Sequence, residues 1–187
     1  MEEDIKKAVE TMKKGGVILY PTDTIWGIGC DATDEKAVSR IYEIKKRAEN
    51  KAMLVLVDDI AKVERYVDEM PEMAYTLNEL SEKPVTIIYE NARGLAKNLL
   101  GENGSVGIRV SREQFSKLLC KRFGRPVVST SANVSGMPSA KTFKEISDEI
   151  KNAVDYIVGY RQDDETEHEA SSIVKLSAGN VIKIIRN

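Results

Sequence analysis

The sequence predicts an α/β domain built on a mixed, twisted sheet, and three observations carry that expectation. Segments with helical spacing and short β-branched runs interleave along most of the 187 residues. The late strand-like runs come with few helices between them, so some neighbours must pair antiparallel. No repeat, low-complexity tract or proline-rich linker divides the chain, which points to a single domain over 1–187.

The elements follow in order. DIKKAVETMKKGG places Ile5, Ala8, Val9 and Met12 on one helical face and ends in glycine. GVILY reads as a strand, and PTDTIWGIGCDA as a loop of glycines and hydroxyls. A helix starts near Asp34, with Ala37, Val38, Ile41 and Ile44 on one face, and runs into the basic segment KKRAENK. MLVLV is a strand, Ile60, Val63 and Val67 mark a helix, and PEMAYTLNELSE marks another opened by Pro71. PVTIIYE and SVGIRV read as strands, REQFSKLLCKRFG as a helix closed by Gly124, and PVVST as the next strand. Thr142 and Glu145 form a capping-box pattern for a helix bearing Phe143, Ile146 and Ile150. VDYIVGY, SIVKL and VIKII supply the last strands.

Composition narrows the function. The hydrophobic fraction of 42% and charged fraction of 31% are ordinary for a globular protein. No apolar run is long enough to span a bilayer, and the charged start MEEDIKK lacks a signal-peptide core, so the expected location is cytoplasmic. Cys30 and Cys120 form no metal-binding spacing, and His168, the single histidine, sits in an acidic run where a solvated position is expected. Histidine triads and histidine-rich metal sites are therefore poor candidates. A net charge of −2 argues against a surface built wholly for nucleic acid.

The chemistry gathers after strands. VVSTSANVSG begins as a buried strand and turns into Ser129, Thr130, Ser131, Asn133 and Ser135, a run suited to holding a ligand. Loops 21–31, 101–105 and 129–139 are of this kind, and ligands of open α/β folds collect at strand ends. Lys45, Arg47, Lys51, Arg109 and Arg186 bring cations toward them. Ile108 and Val110 should face the core, which sends Arg109 to the opposite face, either toward water or toward a ligand. Neither G-x-x-x-x-G-K-[ST] nor G-x-G-x-x-G is present. The residues alone point to a site for a small polyanion, with phosphate the natural candidate.

The blocks YPTDTIWGIGCDA, IYEIKKR with Lys51, SVGIRV, STSANVSGMPS and SSIV, in that order, resemble the Sua5/YrdC/YwlC family from Gly16 to Arg186. The resemblance implies a YrdC-like fold around a concave basic cavity. It also implies synthesis of threonylcarbamoyl-adenylate from L-threonine, bicarbonate and ATP, with pyrophosphate released, for the threonylcarbamoyladenosine modification of tRNA. On that basis Thr24, Arg109, Ser129 and Ser172 belong to threonine. Lys45, Arg47, Lys51, Ser105, Ser131, Asn133, Ser139 and Arg186 belong to ATP, with Lys45 and Arg47 as the catalytic cations. Mg²⁺ is expected to arrive on the ATP phosphates, with no protein metal site. Expected partners are tRNA or double-stranded RNA and the proteins that transfer the threonylcarbamoyl group, with no membrane. The alternative functions are a double-stranded RNA-binding module and a carbamoyl-adenylate-handling paralogue. The chain departs from the family pattern in three places: Ala52-Met53 where Pro-Leu is common, Lys175 where aspartate is usual, and Trp26 in place of tyrosine or phenylalanine. Lys45 and Arg47, two residues apart, would diverge on a continuing helix, so the helix should end near Lys45 and the chain should turn there.

Overall fold

The computed structural model describes residues 1–48, 53–168, 170–177 and 181–186. The strands are β1 (Ile18–Tyr20), β2 (Gly27–Gly29), β3 (Leu54–Val57), β4 (Val85–Tyr89), β5 (Val106–Val110), β6 (Val127–Ser131), β7 (Tyr156–Ile157), β8 (Ser172–Ser177) and β9 (Val181–Arg186). The helices are α1 (Glu2–Lys13), α2 (Glu35–Ile44), α3 (Ile60–Val63), α4 (Glu72–Leu80), α5 (Gln114–Phe123) and α6 (Asp148–Ala153). The strands form one sheet in the order β7-β1-β2-β6-β3-β5-β4-β8-β9. β1–β7, β3–β5 and β4–β8 pair parallel and the other neighbours antiparallel, so the sheet is mixed, as expected. Among the described residues, no helix is long and apolar enough to cross a membrane.

Period-two alternation sorts the strand residues into two layers. Val55, Val57, Ile87, Ile108, Val128 and Val174 join one core with α2, α3 and α4. Ile18, Tyr20, Leu56 and Val127 join the other, under Ile5, Ala8 and Met12 of α1 and Phe115, Leu119 and Phe123 of α5. Capping sets the helix limits. Asp34 accepts from the N–H groups of Lys36 and Ala37 to start α2, and Glu113 does the same for Phe115 and Ser116 of α5. α5 stops at Gly124, which takes the left-handed conformation.

The structure changes four expectations. The loop 21–31 contains β2, a Gly-Ile-Gly strand hidden by its low β-propensity. Glycine is required there, because a Cβ on Gly29 would stand 2.5 Å from the Val128 carbonyl and 2.6 Å from the Tyr20 ring. The helix over Ile60–Val67 is confined to α3, since Val67 leaves it to form a bridge with Ala92. Thr142 makes no cap: residues 143–145 form a 3₁₀ turn, the Glu145 carboxylate accepts from the Lys141 N–H, and Ser147 caps α6. His168 is half-buried, its Nε2 2.9 Å from Arg161 Nη2.

That last contact belongs to a crossover. From β7 at one sheet edge, the chain passes to β8, next to last at the other. It is tied down on the way by Arg161 donating to the Thr22 carbonyl (3.2 Å) and by the pairs Lys141–Glu167 (2.7 Å) and Lys144–Glu165.

Candidate functional site

α1 and α5 cover only part of their face of the sheet. Leu54 lies on the same face as Leu56, and its cross-strand partners Ser129 and Gly107 share that face. Here the sheet floor is open beneath a cavity of ≈ 280 Å³. Thr24, Thr86, Ser129, Thr130, Ser131, Ser139 and Ser171 supply hydroxyls to its wall, and among the described residues the charged side chains in the wall are Arg47, Arg109 and Arg186. Ile25, Trp26, Met53, Leu54, Ile88 and Ile173 give it apolar surface. Gly107 keeps the floor low: a Cβ there would meet Thr86 Cγ2 at 3.1 Å and Leu54 Cβ at 3.4 Å.

Arg109 is the cation in the floor. β5 lies between β3 and β4, so this arginine sits inside the sheet and not on an edge facing water. Its side chain is 3% exposed, and Nη2 stands 3.0 Å from Asp23 Oδ1. Burial raises the Asp23 pKa, and the Arg109 charge pulls it down less strongly, so desolvation wins. The turn around Asp23 is fixed by its neighbours: Thr22 Oγ1 accepts from the Thr24 N–H (3.1 Å), donates to the Ile25 carbonyl (2.8 Å) and meets Thr24 Oγ1 (3.0 Å). Across the floor, the Thr86 and Ser171 hydroxyls meet at 2.8 Å, and Arg186 donates twice to the Ser171 carbonyl.

The basic segment divides its cations. α2 ends at Ile44, Lys45 caps it, and Lys46 at φ 49° turns the chain, as the spacing of Lys45 and Arg47 required. Arg47 enters the cavity wall. Lys45 does not; its Nζ donates to the carbonyls of Ser131 (2.5 Å) and Asn133 (2.6 Å). Burial, and to a smaller degree the charge of Arg47, lowers its pKa from 10.5 to about 8. Between about pH 8 and 10.5 the unfolded chain therefore binds more protons than the folded one, and stability rises with pH across that window. Urea unfolding at pH 7.5 and pH 10 should show the wild type gaining about 2 kcal/mol relative to Lys45→Met. Parallel behaviour of the two proteins would contradict a destabilised buried cation.

Of the residues that the resemblance assigns to substrates, Thr24, Arg47, Arg109, Ser129, Ser131, Ser139 and Arg186 line this cavity. Lys45, Ser105, Asn133 and Ser172 do not. Lys51 lies outside the described residues. Ser105 closes a 3₁₀ turn, and its carbonyl accepts from Gly101. Ser172 points with Val174 toward the helix-covered core face, and Ser171 and Ile173 face the cavity. Alternation along SSIVKL carries that assignment, because Val174 and Leu176 must be buried. The same alternation in PVTIIYE marks Thr86, and no sequence signal marks Asp23 as the partner of Arg109. Of the family departures, Lys175 pairs with Glu90 at 2.7 Å, and Trp26 lies in the wall with its ring centroid 4.8 Å from that of Phe143.

Comparisons with known proteins fit this geometry. A protein of Pseudoalteromonas translucida named threonylcarbamoyl-AMP synthase is 32% identical over 160 residues, which is 84% of this chain and 86% of that protein. The crystal structure of P. abyssi Sua5 complexed with L-threonine matches with a TM-score of 0.88 at 23% identity, over 100% of this chain and 54% of that one. This chain thus spans about half the length of that Sua5. Full-length HypF in a phosphate- and nucleotide-bound form matches with a TM-score of 0.82 at 26% identity, over 98% of this chain and 28% of that one. The Sua5_yciO_yrdC family model, described as telomere recombination, covers residues 10–187, from the middle of α1 through β9. A match of that extent places every strand of the sheet and every wall residue of the cavity within one family, and the chain belongs to the Sua5/YciO/YrdC family.

Proposed function

We propose that this protein is a threonylcarbamoyl-AMP synthase, a nucleotidyltransferase that joins L-threonine, bicarbonate and ATP and releases pyrophosphate. The observation that carries the reading is a single cavity with Arg109 buried in its floor among hydroxyls and Arg47 in its wall. The curated relatives at about this length bear that enzyme's name, which favours catalysis over an RNA-binding module. In this reading Arg109 receives the threonine carboxylate beside Thr24, Ser129 and Ser171. The threonine ammonium and bicarbonate give a carbamate, water and a proton. A carbamate oxygen then attacks the α-phosphorus, and the bond to the departing pyrophosphate breaks. Arg47, Ser131 and Ser139 hold the phosphates while negative charge shifts to the leaving group. Such a displacement needs placement and charge neutralisation more than a protein nucleophile, which suits a site without histidine or cysteine. Among the described residues the wall offers arginines and hydroxyls but no carboxylate set for a metal, so Mg²⁺ would come bound to ATP and neutralise phosphate charge there. The product would pass to the enzymes that modify tRNA.

Pyrophosphate release is the test. It should require ATP, bicarbonate and L-threonine together. ATP turnover indifferent to threonine would sink the reading.

A further inference from the structure

We propose that Lys45 is a positioning residue: it clamps the loop 131–135 from behind, so that Ser131 and Ser139 face the cavity, and acts through that loop and not on a substrate. The clamp stands on geometry alone; its effect on turnover rests on the proposed synthase reading.

The loop is held at three alternate residues. Lys45 Nζ donates to the carbonyls of Ser131 and Asn133, and the Lys45 carbonyl accepts from the Ser135 N–H at 2.8 Å. Its approaches to the side chains of the same residues, 3.5 Å to Ser131 Oγ and 3.4 Å to Asn133 Oδ1, are longer and weaker. Asn133 closes the far side, donating through Nδ2 to the carbonyls of Met137 (2.5 Å) and Val134 (3.2 Å), and Gly136 turns the chain at φ 85°.

Local structure explains how a lysine comes to lie there. The Lys45 N–H closes the last turn of α2 on the Ile41 carbonyl, and the reversal at Lys46 leaves the Lys45 stem pointing off the helix end into the loop. A cation at a helix C-terminus is favoured by the backbone dipole. An ammonium can turn its N–H groups toward two carbonyls, which a planar guanidinium would do less readily. The residue is 1% exposed and absent from the cavity wall, whereas Arg47, two positions on, is in that wall. The two cations therefore have separate tasks: one shapes the loop, and the other meets what enters.

Amide hydrogen exchange on the ligand-free protein tests the clamp. In Lys45→Met, amides of residues 132–137 should exchange about 10-fold faster, with those of the sheet within about twofold of wild type. Affinity for a non-hydrolysable ATP analogue should fall about 10-fold and the threonine KM should stay within about threefold. Lys45→Gln, neutral but still a donor, should recover part of the protection and part of the affinity. Unchanged loop exchange in Lys45→Met overturns the proposal, and if nucleotide affinity is lost at the same time, Lys45 touches the nucleotide directly. No rescue by Lys45→Gln would also overturn it, because charge and not hydrogen bonding would then be what matters. If the wild type releases no threonine-dependent pyrophosphate, the assigned reaction fails, and the exchange result still decides the clamp.

Discussion

Replacing Arg109 with lysine is expected to raise the threonine KM about 10- to 100-fold while moving the ATP KM less than about threefold. The range is what one charge-assisted hydrogen bond contributes. A guanidinium can meet Asp23 on one side and still offer donors to an entering carboxylate, because its five N–H groups lie in a plane. An ammonium on a shorter stem must choose between them. Asp23 Oδ1 and Arg109 Nε are both buried and make no hydrogen bond to the protein, so charge and not a closed two-bond fork holds the pair. Steady-state kinetics with each substrate varied in turn would check this. Intact threonine KM with a raised ATP KM would mean that the two ends of the cavity have been assigned the wrong way round.

The second large effect is on stability. Asp23→Asn is expected to destabilise the fold by about 3–5 kcal/mol, because it leaves the Arg109 guanidinium charged, buried and unpaired. Adding Arg109→Met should return most of that loss, since the cost lies in the orphaned charge and not in a lost attraction. The raised Asp23 pKa pulls the other way: removing the buried carboxylate charge relieves its own desolvation, which sets the loss at the lower end of that range. Urea midpoints of the two single variants and the double variant measure it, and additive losses would contradict the account.

Much of this was legible in the sequence, and the reasons are local. Alternation in LVLV, VTIIY and SIVKL sets which residues reach the cavity face, and strict alternation is a property of strands that no tertiary contact has to supply. The turn at Lys46 followed from two cations set two residues apart. What stayed hidden depended on contacts across the fold. β2 is a strand because β1 and β6 flank it, although its glycines speak against one. The resemblance assigns Lys45 and Asn133 to ATP, and the cavity wall contains neither. Which way a lysine stem runs from a helix end depends on the loop packed against it, and that loop is 86 positions away.

The crossover from β7 to β8 bears on how the protein is made. Ser171, Ile173 and Arg186 supply one side of the cavity, and they come from the last stretch of the described chain to leave a ribosome. Their partner Thr86 has been waiting since 85 residues earlier, on a strand whose outer edge β8 alone can cover. Contacts of such range close slowly, because the loop entropy must be lost before any contact rewards it. The nascent chain can therefore bury α1, α2 and α5 against the sheet while β4 remains an open edge and the pocket has only one wall. Closure of the cavity is thus among the final properties the polypeptide acquires, and a chain interrupted before β8 would keep most of its hydrophobic interior and the Arg109 floor yet lack the side that Ser171, Ile173 and Arg186 supply.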